Sequence, residues 1–580
     1  MLTPGPNRGS MMCKLPMRGI GYGQWGARKG RVTHPFVTLS IVDMPYSCPN
    51  EELSNQSLRQ RPACADASDS VTNRLVQSVA DRWTLLVARY GTSRLLVVFI
   101  VVLASLLRLP NLNESLWYDE VWYSTRFVLN SLPQLRHYVV SEPPAPFYVV
   151  IMHGWNRLFG ENEIVLRIPS LLCGVAAILL TYSIAKKYAG VQGAFLAALF
   201  LCFSPAHIWY SQEATSYAMT MCLLLAAVLV WHELKSASRS GHWYVFYGLF
   251  LICAIFTHYL AAVYLLPLSV LLFDAPSVVR KRIVAINLLA GTLVAGVIII
   301  KHELGFTGVG MPFLRPFTLF QWWMLFFNWF LHGNSIWTLP PYRTTLQDVT
   351  NSPLLFSCQI VFLLILIRGL APRHGQVWHK STLELSLFLI VLPLAMFSIT
   401  LAGYQKIYIE RYLLVGLPFF AIVLARGATE FSNRWISGIS TATVVTLAII
   451  SYAMFLSKGD RWTVYKTKPD MRGAARYLAG QNISADETMV VLPGEDALTL
   501  TFYIDRHASA NHAVVQESYE AAKVDQAIVE GKLKAIYAVK NRWALGDFQR
   551  LYKLLEQNQG LTLTGTHSFK DVDVYTFVAR

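Results

Sequence analysis

Two adjacent carboxylates, Asp119 and Glu120, stand in the aromatic stretch Leu116-Trp-Tyr-Asp-Glu-Val-Trp-Tyr123, just past an apolar run. Ionised groups at a hydrocarbon boundary are costly to hold unless something uses them. The chemistry open to such a pair is proton abstraction from an acceptor, or metal binding. Further polar residues recur downstream. They are Glu142-Pro-Pro144 with Pro146-Phe-Tyr148 and His153, then Tyr210-Ser-Gln-Glu213 with Tyr217, then Tyr404-Gln-Lys406 with Tyr408, Glu410, Arg411 and Tyr412. His258 and His332 stand singly. Each has a plainer reading: Tyr and Trp populate membrane interfaces whatever the function, and Arg411 can snorkel to headgroups. Carboxylates, imidazoles, a guanidinium and phenols gathered on one face would make a polar active site at the lipid boundary.

The elements that must position these residues are membrane helices. The chain has 580 residues, 54% of them hydrophobic and only 15% charged, which a soluble domain would not show. Apolar runs cover roughly 95–109, 164–185, 191–207, 214–232, 243–257, 259–273, 283–300, 353–369, 382–402, 411–425 and 435–456, about eleven crossings. Every second connection is basic: Lys186-Lys187, Lys235 with Arg239, Arg280-Lys281-Arg282, Arg368 with Arg373 and Lys380, and Arg426 with Arg434. The positive-inside rule puts these in the cytoplasm. The stretch 243–273 must then be a hairpin with His258-Tyr259 at its outer turn. The same parity sends 111–163, 301–352 and everything after about 458 to the extracytoplasmic side.

The chain thus divides into three parts. Residues 1–92, rich in Gly, Pro, Ser and Arg, read as a disordered cytoplasmic segment. Residues 93–457 form the transmembrane domain, with 111–163 as its first outer loop. Residues 458–580 read as a small extracytoplasmic α/β domain. Its expected strands are Val490-Val-Leu, Leu500-Thr-Phe-Tyr-Ile504, Ala535–Val539 and Val572–Val578, and its expected helices are Met471–Ala479, Ser518–Glu530 and Ala544–Gln557. The net charge of +15 is spread over short membrane loops and the N-terminus, which suits the anionic cytoplasmic leaflet rather than nucleic acid. The eight cysteines show no CxxC spacing, so neither a disulfide framework nor a cysteine metal site is expected.

The motifs in order are Leu116-Trp-Tyr-Asp-Glu120, Glu142-Pro-Pro-Ala-Pro-Phe-Tyr148, Val165-Leu-Arg-Ile-Pro-Ser170, Ser204-Pro-Ala-His-Ile-Trp-Tyr-Ser-Gln-Glu-Ala214, Thr257-His-Tyr259 and Glu410-Arg-Tyr-Leu-Leu414. Over roughly 93–430 this series resembles the bacterial integral-membrane glycosyltransferases of the GT-C superfamily, in the group joining protein O-mannosyltransferases and lipid A aminoarabinose transferases. The resemblance implies an α-helical polytopic enzyme of the inner (plasma) membrane, with its active site on the extracytoplasmic side. It implies transfer of a sugar from a polyprenyl-phosphate donor to a glycolipid, polysaccharide or protein acceptor. Asp119 would be the catalytic carboxylate, as general base or by positioning the acceptor, and the like charge of Glu120 would favour such a base. Arg411 with Tyr412 would hold the donor phosphate. Tyr210, Gln212, Glu213, Tyr217 and His258 would line the substrate site. Glu142 matches the family's acidic residue before the double proline, which implies a divalent metal, with His332 or His258 as a second ligand. At position 143 many aminoarabinose transferases carry Lys and this chain has Pro, which weakens lipid A as the acceptor. The reading from a different class is a transporter or flippase of lipid-linked sugars. Such proteins carry mid-span ionisable residues and internal repeats, and neither is evident here.

Overall fold

The computed structural model describes residues 92–124, 145–236, 239–304, 316–333, 353–372, 380–403 and 408–457, the isolated Pro133, and 468–580 apart from short internal stretches. Residues 1–91, including nearly all of the segment expected to be disordered, and Glu142-Pro-Pro144 lie outside the described residues.

Among the described residues six helices are long and apolar enough to cross a bilayer: Glu163–Phe203, Tyr217–Lys235, Ser277–Glu303, Lys380–Leu401, Glu410–Thr429 and Arg434–Ser457. Shorter apolar helices occupy Arg94–Leu106, Gly241–Thr257, Tyr259–Val270 and Phe356–Leu370. Gly190, at φ 67°, divides the longest helix in two, a conformation that glycine reaches without the steric penalty of a side chain. With that division, each of the eleven apolar stretches marked in the sequence contains a helix. At His258 the backbone becomes extended, φ −156° and ψ 116°, and separates the Gly241–Thr257 helix from the one that starts at Tyr259.

Two glycines let helices touch. A Cβ on Gly427 would stand 1.9 Å from the Ile365 carbonyl oxygen, and one on Gly369 would stand 2.1 Å from that of Val423. The backbones of the Pro353–Leu370 and Leu417–Thr429 helices therefore meet directly, which is how membrane helices gain packing when lipid tails already satisfy their apolar side chains. At one end of the bundle the expected cytoplasmic charges tie loops together. Lys187 Nζ pairs with Glu233 at 2.9 Å; Arg239 also pairs with Glu233, Lys235 with Glu384, and Lys380 with Asp274.

The C-terminal region is a five-stranded sheet, β1 (Thr488–Val491), β2 (Val515–Gln516), β3 (Ala535–Asn541), β4 (Leu561–Phe569) and β5 (Val572–Ala579). The strand order is β2-β1-β3-β5-β4, with β1 parallel to β2 and β3 and the two remaining pairs antiparallel. Successive side chains on a strand face opposite ways. Accordingly Val490, Tyr537 and Val539 join one hydrophobic cluster, and Val491, Ile536 and Ala538 join another under the Leu545–Gln557 helix. The first cluster does not stop at the domain. It continues through Met471, Leu500 and Tyr503 to Leu116, Val121, Tyr148, Met152, Leu166 and Ala214. One core therefore joins the sheet to the end of the membrane helices that carries Asp119 and Glu120.

Two expectations for this region need correction. Leu500–Ile504 is part of the helix Ala497–His507, not a strand. Its alternating Leu-Thr-Leu-Thr pattern mimics period two, but Ala497, Leu500 and Ile504 fall on one face of a helix and are all buried. Strand β4 is not among the strands expected; its side chains after Leu561 are almost all exposed, so no buried face marks it.

Candidate active site

The short helix Tyr118–Tyr123 presents the acidic pair. Its two carboxylates have opposite surroundings. Glu120 is wholly buried and takes five hydrogen bonds. The Arg167 guanidinium donates through Nε to Oε1 at 2.8 Å and through Nη2 to Oε2 at 2.7 Å. Lys468 Nζ donates to Oε2 at 2.8 Å. The Ala214 N–H donates to Oε1 at 2.9 Å, and the Trp117 N–H to Oε2 at 3.3 Å, capping the helix start. Burial alone would raise the carboxyl, but Arg167 and then Lys468 outweigh it and hold it down at about 2. Glu120 is thus a permanent, fully satisfied anion. Two cations, Arg167 and Lys468, face that anion.

Asp119 points elsewhere. Its side chain is 22% exposed and pairs with Arg411 Nη1 at 2.5 Å, across 292 residues of chain. Arg411 also lies over the Tyr217 ring, 5.8 Å from its centroid. Around it stand Tyr412 and His258, with ring centroids 5.5 Å apart, and Tyr217, 5.6 Å from His258. Tyr217, Thr220, His258, Arg411 and Tyr412 line one small cavity with room for about one water molecule. Burial, then the nearby Arg411 charge, lower the His258 imidazole to about 4, so it is neutral near pH 7. Tyr210 is buried edge-on to Tyr217, at 5.4 Å.

The Ser-Gln-Glu segment divides its labour. Gln212 Nε2 donates to the Arg108 carbonyl at 3.0 Å and also to that of Pro110, so its amide ties this loop to the end of the first span and does not face a ligand. Ser211 accepts no such role either, donating to the His207 carbonyl at 2.6 Å. Glu213 differs: it is 1% exposed and neither carboxyl oxygen has a hydrogen-bond partner among the described residues. Burial first, then the Glu120 and Asp119 charges, raise it to about 8 against the opposing Lys468 and Arg411. It is mainly a neutral acid at pH 7.

The metal expectation fares differently. His332 is wholly buried, and burial lowers its imidazole to about 3. No group of three His, Cys, Asp or Glu side chains able to hold a metal ion occurs among the described residues, and Glu142 lies outside them. The described donors do not by themselves fit a metal.

Three residues of the site were not singled out from sequence. Arg167 sits inside the Val165–Ser170 motif, where an arginine in an apolar run was the available signal. Arg108, wholly buried, donates to the carbonyls of Ala104 at 2.9 Å and Leu201 at 3.1 Å and contacts His207 Nδ1 at 2.8 Å. Lys468 arrives from the C-terminal region, and nothing local marks it.

Residues 141–300 match the family model described as dolichyl-phosphate-mannose-protein mannosyltransferase. The fold is similar to that of ArnT from Cupriavidus metallidurans in the apo state, with TM-score 0.50 and 13% identity, covering 84% of this chain and 98% of that one. Archaeal oligosaccharyltransferase AglB from Archaeoglobus fulgidus, in complex with an inhibitory peptide and a dolichol-phosphate, aligns with TM-score 0.45 and 13% identity over 78% of this chain and 70% of that one. No curated protein matches the sequence. The chain thus has a polytopic helical fold similar to that of ArnT, and its residues 141–300 are similar to the mannosyltransferase family.

Proposed function

We propose that this chain moves a sugar from a polyprenyl-phosphate donor to an acceptor hydroxyl on the extracytoplasmic face of the inner membrane. The observation that carries the reading is the Asp119–Arg411 pair: a reachable carboxylate and guanidinium in contact, beside a carboxylate that is locked away. The matched family's description supports a lipid-phosphate donor. The charge parity of the loops supports the extracytoplasmic side.

In this reading Arg411 binds the donor phosphate, for which a guanidinium is well shaped. The phosphate then displaces Asp119 from Arg411, so donor binding frees the carboxylate. Asp119 takes the acceptor's O–H proton as the acceptor oxygen bonds to the anomeric carbon. The bond from that carbon to the phosphate oxygen breaks, and the electron pair leaves with polyprenyl phosphate, whose charge stays on Arg411. The leaving group is already good, so the protein contributes mainly orientation and deprotonation. Tyr217, Tyr412 and the neutral His258 line the cavity beside the phosphate, and Glu213 offers a hydrogen bond to a substrate oxygen. Glu120 and Gln212 hold the loops that present these groups. The acceptor is a glycolipid, a polysaccharide or a protein hydroxyl.

The test compares envelope glycolipids, glycans and proteins by mass spectrometry in cells with and without the protein. One sugar should vanish from a defined acceptor. Wild type should restore it and Asp119→Asn should not, with transfer lowered at least about a hundred-fold. If Asp119→Asn complements fully while an intact lipid-linked sugar accumulates in the null cells, the transporter reading replaces this one.

A further inference from the structure

Lys468 is buried 348 residues from the carboxylate it pairs with. That carboxylate does not need it for neutrality, because Arg167 already binds Glu120 through two nitrogens. A second buried cation on one anion is expensive, and here it is held with care. Its neighbour Asp470 accepts from Ser115 Oγ at 3.0 Å and from the Gly473 N–H at 2.9 Å, which caps the Met471–Gly480 helix. The Asp470 N–H donates to the Lys570 carbonyl at 2.9 Å. Residues 468–470 are therefore pinned between the first outer loop and the sheet. The Lys468 ammonium also stands 5.3 Å from the Trp209 ring centroid, on the helix that leads into Gln212 and Glu213.

We propose that Lys468 is a positioning residue of the transfer site: by pairing with Glu120 it fixes the turn of helix that presents Asp119, so the C-terminal domain completes the active site. The inference rests on the function proposed above. It makes the domain part of the catalytic apparatus rather than a separate module. Asp119 and Glu120 are consecutive, so a shift of the Glu120 anchor swings Asp119 relative to Arg411. Misplacement by about 1 Å suffices for losses near a hundred-fold.

The experiment uses the full chain in detergent. Probes are radiolabelled synthetic polyprenyl-phosphate hexose and pentose donors, with envelope extract from null cells as acceptor. Wild type must transfer; a wild type inactive on every donor sinks the parent reading, and this inference with it. With wild type active, Lys468→Met should lower kcat roughly ten- to a hundred-fold while KM for the donor stays within about two-fold. Lys468→Arg should recover most of the loss. Wild-type kcat in Lys468→Met overturns the proposal. So does a kcat loss that Lys468→Arg leaves in place, or a parallel loss in kcat and donor KM. If Lys468→Met does not purify as a folded, monodisperse protein, Lys468→Gln is read the same way. Failure of both to fold makes Lys468 a structural clip and also overturns the proposal.

Discussion

Consecutive residues with opposite environments make chemistry directional. Glu120 spends its charge on Arg167, Lys468 and two backbone amides, while Asp119 is partly exposed and pairs with Arg411. The types and spacing of the pair were legible in the sequence. Which carboxylate was anchored was not, because both anchoring cations lie far along the chain. The same site contains carboxyls shifted in opposite directions, and stability should follow pH accordingly. Glu120 falls from an ordinary 4.5 to about 2, so its contribution is present above pH 4.5 and drains away as pH drops toward 2. Glu213 rises from 4.5 to about 8. Its neutral burial is favoured below pH 4.5, and that advantage is lost as pH climbs through 8. Glu213→Gln, which cannot ionise, should narrow the fall in detergent melting temperature between pH 6 and pH 9. An unchanged pH dependence would remove Glu213 as its source.

Hydropathy and charge alternation locate helices well in a membrane chain, since length and the placement of Lys and Arg both carry information. The helices within the eleven apolar stretches, and the break at His258, were readable on that basis. Which helices touch was not, because contact depends on small residues whose partners lie in other helices. Gly369 and Gly427 are the example: each leaves space only for a neighbouring backbone carbonyl. Gly427→Val should force the Pro353–Leu370 and Leu417–Thr429 helices apart. The expected result is loss of the monodisperse species on gel filtration, whereas Gly438→Ala, which meets nothing within 4 Å, should elute as wild type. The helix Ala497–His507 failed as a sequence expectation for a related reason. Its alternating pattern is local, but Tyr503 is fixed by distant groups, its hydroxyl donating to Glu163 at 2.9 Å and accepting from the Leu116 N–H at 2.8 Å.

At the scale of the molecule, the boundary expected near residue 458 marks a change of composition and not a gap in packing. Arg472 pairs with Glu163 at 2.9 Å, Lys570 with Glu114 at 2.8 Å and Arg506 with Glu161 at 2.7 Å. Exposed pairs like the last contribute little each; the shared apolar core and the buried Lys468 matter more. A chain ended after Ser457 should therefore lose more than activity. Limited trypsin digestion should cut it within the first loop, residues 111–163, faster than it cuts the whole protein. Equal protection in both would mean the first loop stands alone. The same contacts set an order in time. Glu114 meets Lys570 across 456 residues and Glu120 meets Lys468 across 348. At roughly 5–20 residues per second of synthesis, the first loop waits on the order of tens of seconds for its partners. A ribosome-bound chain with most of its membrane helices inserted thus still carries an unlocked acidic loop. Under the function proposed above, sugar transfer would become available only once Lys468 has been made, and a product ended before it would be silent.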